Sequence, residues 1–144
     1  MFAPAGDRRP LFVYGTLMFP AVLTVLLARV PRMEPVAVSA WRAACLLQRP
    51  YPGLVPDPGA RTCGQLLLGL DDAEVAILDA FEGPAYEVGP LVLTDGRAAF
   101  AYLWRDLTQV STQLWDPQVF AERHLVDYAR RCAHWRARFA AGRS

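Results

Sequence analysis

Two short segments of this chain combine residue types that can act on a substrate. In Tyr14-Gly15-Thr16-Leu17 a hydrophobic, strand-like run ends in a glycine turn just before a helix expected to begin near Pro20. Backbone N–H groups left free at such a junction form a cradle for a carboxylate or an oxyanion. A turn that simply needs glycine is the alternative reading. The second segment is Leu78-Asp79-Ala80-Phe81-Glu82-Gly83-Pro84-Ala85-Tyr86, which puts Glu82 in the last turn of a predicted helix. A carboxylate there meets the negative end of the helix dipole, and burial of that end raises its pKa. An exposed Glu82 would carry no such meaning, and Asp79, one turn earlier, is the ordinary solvent-facing comparison.

Other catalytic patterns are missing. The chain has no Walker A loop, GxGxxG, GxSxG elbow or HExxH pair. His124 and His134 fall on one predicted helix, ten residues apart, nearly three turns along its axis. Cys132 and His134, two residues apart, point to different helix faces. Histidine-based catalysis is therefore disfavoured. Cys45, Cys63 and Cys132 are far apart and odd in number, which fits neither a disulfide framework nor a zinc site. They read as buried thiols in a reducing cytoplasm.

The elements that must position these residues follow from pattern and punctuation. Residues 1–10 look like a loose leader, and 11–144 read as one domain. Leu11 to Tyr14 is a strand, Pro20 to about Arg29 a helix with proline at its first position, and Val36 to Leu47 a strand. Arg49 to Gly53 and Asp57-Pro58-Gly59 read as turns, and Arg61 to Leu70 as a strand with Gly64 a point of close approach. Asp71 and Glu74 make a capping box for a helix with the apolar stripe Val75, Leu78 and Phe81, ended by Gly83-Pro84. Asp95-Gly96 joins Tyr86 to Thr94 with Arg97 to Trp104 in a tight hairpin. Tyr102 shares one strand face with Phe100 and Trp104 and reads as core.

A last helix is predicted over 117–140, capped by Asp116, with the stripe Ala121, Leu125, Tyr128, Cys132, Trp135 and Phe139 facing the core or a second copy. The monomer is the expectation and a homodimer the alternative. The arginines on its other faces read as solvated. This order of elements implies an α+β fold, with helices packed on a curved or barrel-like sheet.

Composition narrows the function classes. The chain has 144 residues, 53% hydrophobic, with 15 basic side chains, all arginine, against 14 acidic ones. Disorder is excluded, and so near-neutral a balance argues against a nucleic-acid binder. Leu11 to Ala28 is uncharged and follows Arg8 and Arg9, imitating a membrane anchor, but Gly15 and Pro20 divide it into strand, turn and helix. A cytoplasmic protein with no membrane partner is expected.

The segments YGTL (Tyr14 to Leu17), YPGLVPDPG (Tyr51 to Gly59), GQLLLGL (Gly64 to Leu70) and LDAFEGPAY (Leu78 to Tyr86) occur in this order. In these the chain resembles the γ-glutamylcyclotransferase-like family, in its bacterial and plant branch. Trp115, Phe120, His124 and Tyr128 are similar to members with an extended C-terminal helix. The resemblance implies a small mixed, mainly antiparallel β-barrel flanked by helices, with a pocket between the YGTL loop and the FEG acid. It assigns substrate binding to Tyr14, Gly15, Thr16 and Leu17, and catalysis to Glu82. The family often has arginine two residues after the tyrosine matching Tyr86; here Val88 stands in that place.

The implied reaction is cyclisation of a γ-glutamyl amide to 5-oxoproline with release of an amine or amino acid. Glu82 would be general acid and base, its pKa raised by burial toward roughly 6 to 7. No metal or organic cofactor is called for, and the partner is a small γ-glutamyl substrate. Tyr86 would lie over the pocket, within reach of substrate or Glu82, or else pack in the core. Tyr51 and Pro52 would shape the rim or form a rigid surface turn. A non-catalytic module binding a small carboxylate or a protein is the alternative on the same fold.

Overall fold

In a computed structural model, which describes residues 10–142, the sheet is built on two long strands, β2 (Arg32–Leu46) and β3 (Pro52–Leu68). They pair antiparallel from Arg32↔Leu68 to Cys45↔Pro52. β1 (Leu11–Val13) lies antiparallel to β3 and parallel to β5 (Ala98–Trp104), and β4 (Tyr86–Val92) pairs antiparallel with β5. β6 (Val110–Leu114) adds to the outer edge of β2, giving a six-stranded mixed sheet in the order β4-β5-β1-β3-β2-β6. β1 is short, and past its end β3 and β5 meet directly at Leu54↔Leu103. This closure curls the sheet into a half-barrel, and the chain leaving β1 at Tyr14 is turned out at its mouth.

Helices cover one face of this sheet. α1 (Pro20–Leu27), α2 (Asp72–Glu82) and α4 (Leu125–Gly142) bury Val22, Leu23, Leu26, Leu78 and Cys132 against Leu11, Val13 and Leu67. A second cluster, including Phe12, Val38, Leu54 and Leu66, fills the inside of the curve. The Asp71–Glu74 capping box forms as expected: Asp71 Oδ1 accepts from the Glu74 N–H at 2.8 Å, and Glu74 Oε1 accepts from the Asp71 N–H at 3.0 Å. Glu74 also receives Arg29 Nε at 2.6 Å, tying the end of α1 to the start of α2. Gly64 is a site of close approach, since a Cβ there would strike the Val13 carbonyl and the Phe12 ring. The Asp95-Gly96 hairpin closes with Gly96 at φ 92°, a left-handed conformation that glycine adopts freely.

Several expectations are corrected. Asp57-Pro58-Gly59 does not separate two strands; it lies within β3, where residues 57–60 bulge opposite Ala40 while the ladder resumes on both sides. The Asp57 carboxylate accepts from the Gly59 N–H at 3.2 Å and pairs with Arg42 at 3.3 Å, holding the bulge locally. β6 escapes sequence reading because it is an exposed edge strand with no buried face to impose alternation. The helix predicted over 117–140 is two, α3 (Pro117–Arg123) and α4, bent at His124, whose φ is −128°. The bend leaves Phe120 buried against Phe19 and Trp115 while α4 lies along α1. Of the thiols, Cys132 is buried but Cys63 is exposed and Cys45 intermediate.

The leader expectation falls largely on residues 1–9, outside the described part; Pro10 accepts from the Phe100 N–H at 2.9 Å. Among the described residues no helix is long and apolar enough to cross a membrane. Leu11 to Ala28 forms strand, 3-10 turn (Thr16–Met18) and α1, as its punctuation implied.

Candidate functional site

The chain leaves β1 at Tyr14 and turns at once into the Thr16–Met18 3-10 turn. A Cβ on Gly15 would stand 2.7 Å from Pro52 Cγ, so glycine is what lets the loop lie against the start of β3. The first N–H groups of a helical turn have no acceptor within it. Those of Gly15, Thr16 and Leu17 find none elsewhere among the described residues either.

Across from the loop, α2 carries Glu82 as its last residue, and Gly83, at φ 77°, stops the helix there. Its buried Leu78 and the Arg29–Glu74 pair at its other end fix α2 on the sheet. Glu82 and the loop line one cavity of about 210 Å³, together with Phe12, Val13, Tyr51, Pro52, Phe81, Ala85, Tyr86, Tyr102 and Tyr128. The expected site residues Tyr14, Gly15, Thr16, Leu17, Glu82 and Tyr86 are therefore in one place.

Glu82 is half-buried by surface area because it borders this cavity, yet protein encloses its carboxyl. Burial pushes its pKa up to about 8, above the 6 to 7 expected. No group among the described residues hydrogen-bonds the carboxyl, so nothing offsets the cost of removing its charge from water. Burial chiefly holds the hydroxyls of Tyr14, Tyr86, Tyr102 and Tyr128 above the usual phenol range, with the Asp79 hydrogen bond raising Tyr102 further and the Thr16 hydrogen bond offsetting part of the rise at Tyr128.

Tyr86 sits in the cavity wall, but its hydroxyl donates to the Pro52 carbonyl at 2.7 Å rather than to Glu82. Its ring packs edge-on against Trp104 and Tyr102, so it is both wall and core. Tyr51 and Pro52 line the cavity. Tyr102, read as core, is buried, yet it also forms part of the wall and donates to Asp79 Oδ1 at 2.6 Å. Asp79 is thus exposed but engaged, not the free solvent-facing residue expected. Val88 is half exposed on β4 and takes no part in the lining.

Tyr128 and Phe81 read in the sequence as members of apolar helix stripes and of segments resembling the family, with no role assigned at the site. The structure sets both rings in the wall, edge-on at 6.4 Å. Among the described residues no arginine, lysine or histidine lines the cavity. A ligand anion entering it would meet only backbone N–H groups and hydroxyls, and Glu82 is the titrating carboxylate.

Comparison with known proteins places this arrangement. The sequence model of the family described as "Gamma-glutamyl cyclotransferase, AIG2-like" matches residues 11–118. The chain belongs to this family. It is 35% identical to AIG2-like protein C of Arabidopsis thaliana over 118 residues, covering 78% of this chain and 64% of that protein. It is 32% identical to AIG2-like protein A of the same plant, covering 83% and 71%. The chain thus spans just under two thirds of the length of AIG2-like protein C. A solution structure of an Arabidopsis protein superposes with a TM-score of 0.66 at 25% identity, over 92% of this chain and 87% of that one. A structure titled "Gamma-glutamyl cyclotransferase" superposes at 0.61 and 13% identity, over 86% and 85%, a likeness of fold. The mixed half-barrel with a long C-terminal helix is the fold of this γ-glutamyl cyclotransferase family.

Proposed function

We propose that this family member cyclises a γ-glutamyl amide. The substrate's α-amine attacks its own γ-carbonyl carbon, the new C–N bond closes 5-oxoproline, and the old amide C–N bond breaks to release an amine or amino acid. Because the nucleophile belongs to the substrate, the protein needs only to move protons and hold charge. The α-ammonium sheds two protons as it becomes the lactam N–H, and Glu82 takes them in turn and hands each to the leaving nitrogen, which departs as an ammonium. The N–H groups of Gly15, Thr16 and Leu17 receive the negative charge that grows on the carbonyl oxygen.

The observation that carries this reading is a buried carboxyl with no hydrogen-bond partner among the described residues, raised to about 8, sharing a small cavity with backbone N–H groups that are likewise unpaired among them. An ordinary glutamate is a weak base toward an ammonium, and burial narrows that gap. When substrate binds, its positive charge draws Glu82 down again, so proton transfer between the two is nearly balanced. The cavity is smaller than the roughly 300 Å³ at which drug-sized sites begin, which suits one amino-acid-sized group. The site's own groups supply both the base and the oxyanion donors that the reaction requires.

The test is product analysis by mass spectrometry with a panel of γ-glutamyl amino acids and amines. Wild type is expected to release 5-oxoproline, with kcat/KM rising with pH to a plateau above about 8 as Glu82 ionises in the free enzyme. Glu82→Gln keeps the shape, removes the base and is expected to lower kcat/KM by roughly 10² to 10⁴. Folded wild type that binds panel members without releasing 5-oxoproline would make the site a binding pocket.

A further inference from the structure

The tyrosine hydroxyls of the cavity are not equivalent. Tyr14 donates to the Tyr102 carbonyl at 2.5 Å, Tyr86 to the Pro52 carbonyl at 2.7 Å, and Tyr102 to Asp79 Oδ1 at 2.6 Å. A phenol has one proton to give, so these are committed to the protein. Two others differ: the Tyr51 hydroxyl makes no hydrogen bond among the described residues, and the Tyr128 oxygen, which alone of the two touches the Gly15–Leu17 turn, accepts from Thr16 Oγ1 at 3.3 Å, which leaves its own proton uncommitted. The ring that carries it is fixed. Phe120 meets it edge-on at 5.4 Å, Phe81 edge-on at 6.4 Å, and Tyr51 tilts against it at 6.5 Å. The bend at His124 permits this, turning Phe120 and Tyr128 toward each other across the junction of α3 and α4.

A part-buried phenol held rigid in a cavity wall, with its proton unspent on the protein, is poised for a ligand oxygen. The Thr16 contact fixes where that oxygen must be. Thr16 belongs to the turn whose N–H groups are also unspent, so the Tyr128 hydroxyl lies beside that turn in the lining of the same cavity. With no cationic side chain among the described residues of the lining, negative charge there meets neutral donors.

We propose that Tyr128 is a catalytic residue that α4 contributes to the site: its O–H donates to the γ-carbonyl oxygen held by the Gly15–Leu17 amides and strengthens as that oxygen becomes anionic. This rests on the cyclotransferase reading and adds to it a donor from a helix beyond residues 11–118, which the family model matches. A donor of this kind favours the transition state over bound substrate, so its loss falls on kcat more than on KM.

Tyr128→Phe, compared with wild type in the 5-oxoproline assay, tests it. The expected result is a kcat lower by roughly a hundredfold, KM changed by less than about threefold, and a thermal midpoint that does not fall. A midpoint that falls while kcat holds would show a packing role and overturn the proposal. A kcat within about threefold of wild type would also overturn it, leaving the cyclotransferase reading intact. Wild type that turns over no panel member would overturn both.

Discussion

Replacing Glu82 by glutamine tests the physical basis of the site without needing a substrate. The folded state holds the Glu82 pKa at about 8 against an ordinary 4.5, because burial disfavours the charged form. The fold therefore binds the proton more tightly than the unfolded chain does. The stabilisation this gives is complete below pH 4.5 and is lost as pH rises through 8. At 1.36 kcal/mol per pH unit between 4.5 and about 8, the loss comes to about 4 to 5 kcal/mol on the alkaline side. Solvent reaching the carboxyl through the cavity mouth makes that figure a ceiling. Glutamine cannot ionise, so the variant escapes the loss. Urea unfolding of both proteins from pH 5 to pH 9 should show the variant gaining on wild type by up to about 1.4 kcal/mol per pH unit, levelling above pH 8. Against a typical stability of about 5 to 15 kcal/mol the effect is large. A stability difference constant within about 0.5 kcal/mol across that range would mean that Glu82 is not desolvated, and the reasoning behind its basicity would fail.

Other substitutions probe how the site is held. Gly15→Ala places a Cβ 2.7 Å from Pro52 Cγ and must push the loop aside, so kcat/KM in the 5-oxoproline assay should fall by roughly 10² while the protein stays folded by circular dichroism. Glu74→Ala removes the acceptor shared by Arg29 and the Asp71 N–H, and urea unfolding at pH 7 should show a loss of about 2 to 3 kcal/mol. The Arg29 hydrogen bond chiefly lowers the Glu74 pKa, so this stabilisation is present above the ordinary carboxylate pKa and disappears as pH falls through the depressed one. The two proteins should then converge in stability in acid.

Local chemistry settled much of this protein in advance. The Asp71–Glu74 capping box, the Gly83 stop and the Asp95-Gly96 hairpin depend on interactions a few residues apart, so the sequence displays them directly. The pairing of the Tyr14-Gly15-Thr16-Leu17 loop with Glu82 was legible through the resemblance of ordered motifs, and the match over residues 11–118 fixes the family. Spacing alone left Glu82 open, because a carboxylate at a helix end gains meaning only from what surrounds it.

Tertiary structure decided the rest. The long β2–β3 pairing overrode the turn propensity of Asp57-Pro58-Gly59, and β6 was invisible because an exposed edge strand needs no apolar alternation. Which tyrosine keeps its proton depends on acceptors such as the Pro52 carbonyl, Asp79 and the Tyr102 carbonyl, each remote in sequence from its donor. Tyr128 reads along the chain as one member of a helix stripe. The bend at His124 and the packing of α4 along α1 bring it to Thr16, 112 positions away. Sequence periodicity reports which face of a helix is buried, but only the packed fold determines what that face meets.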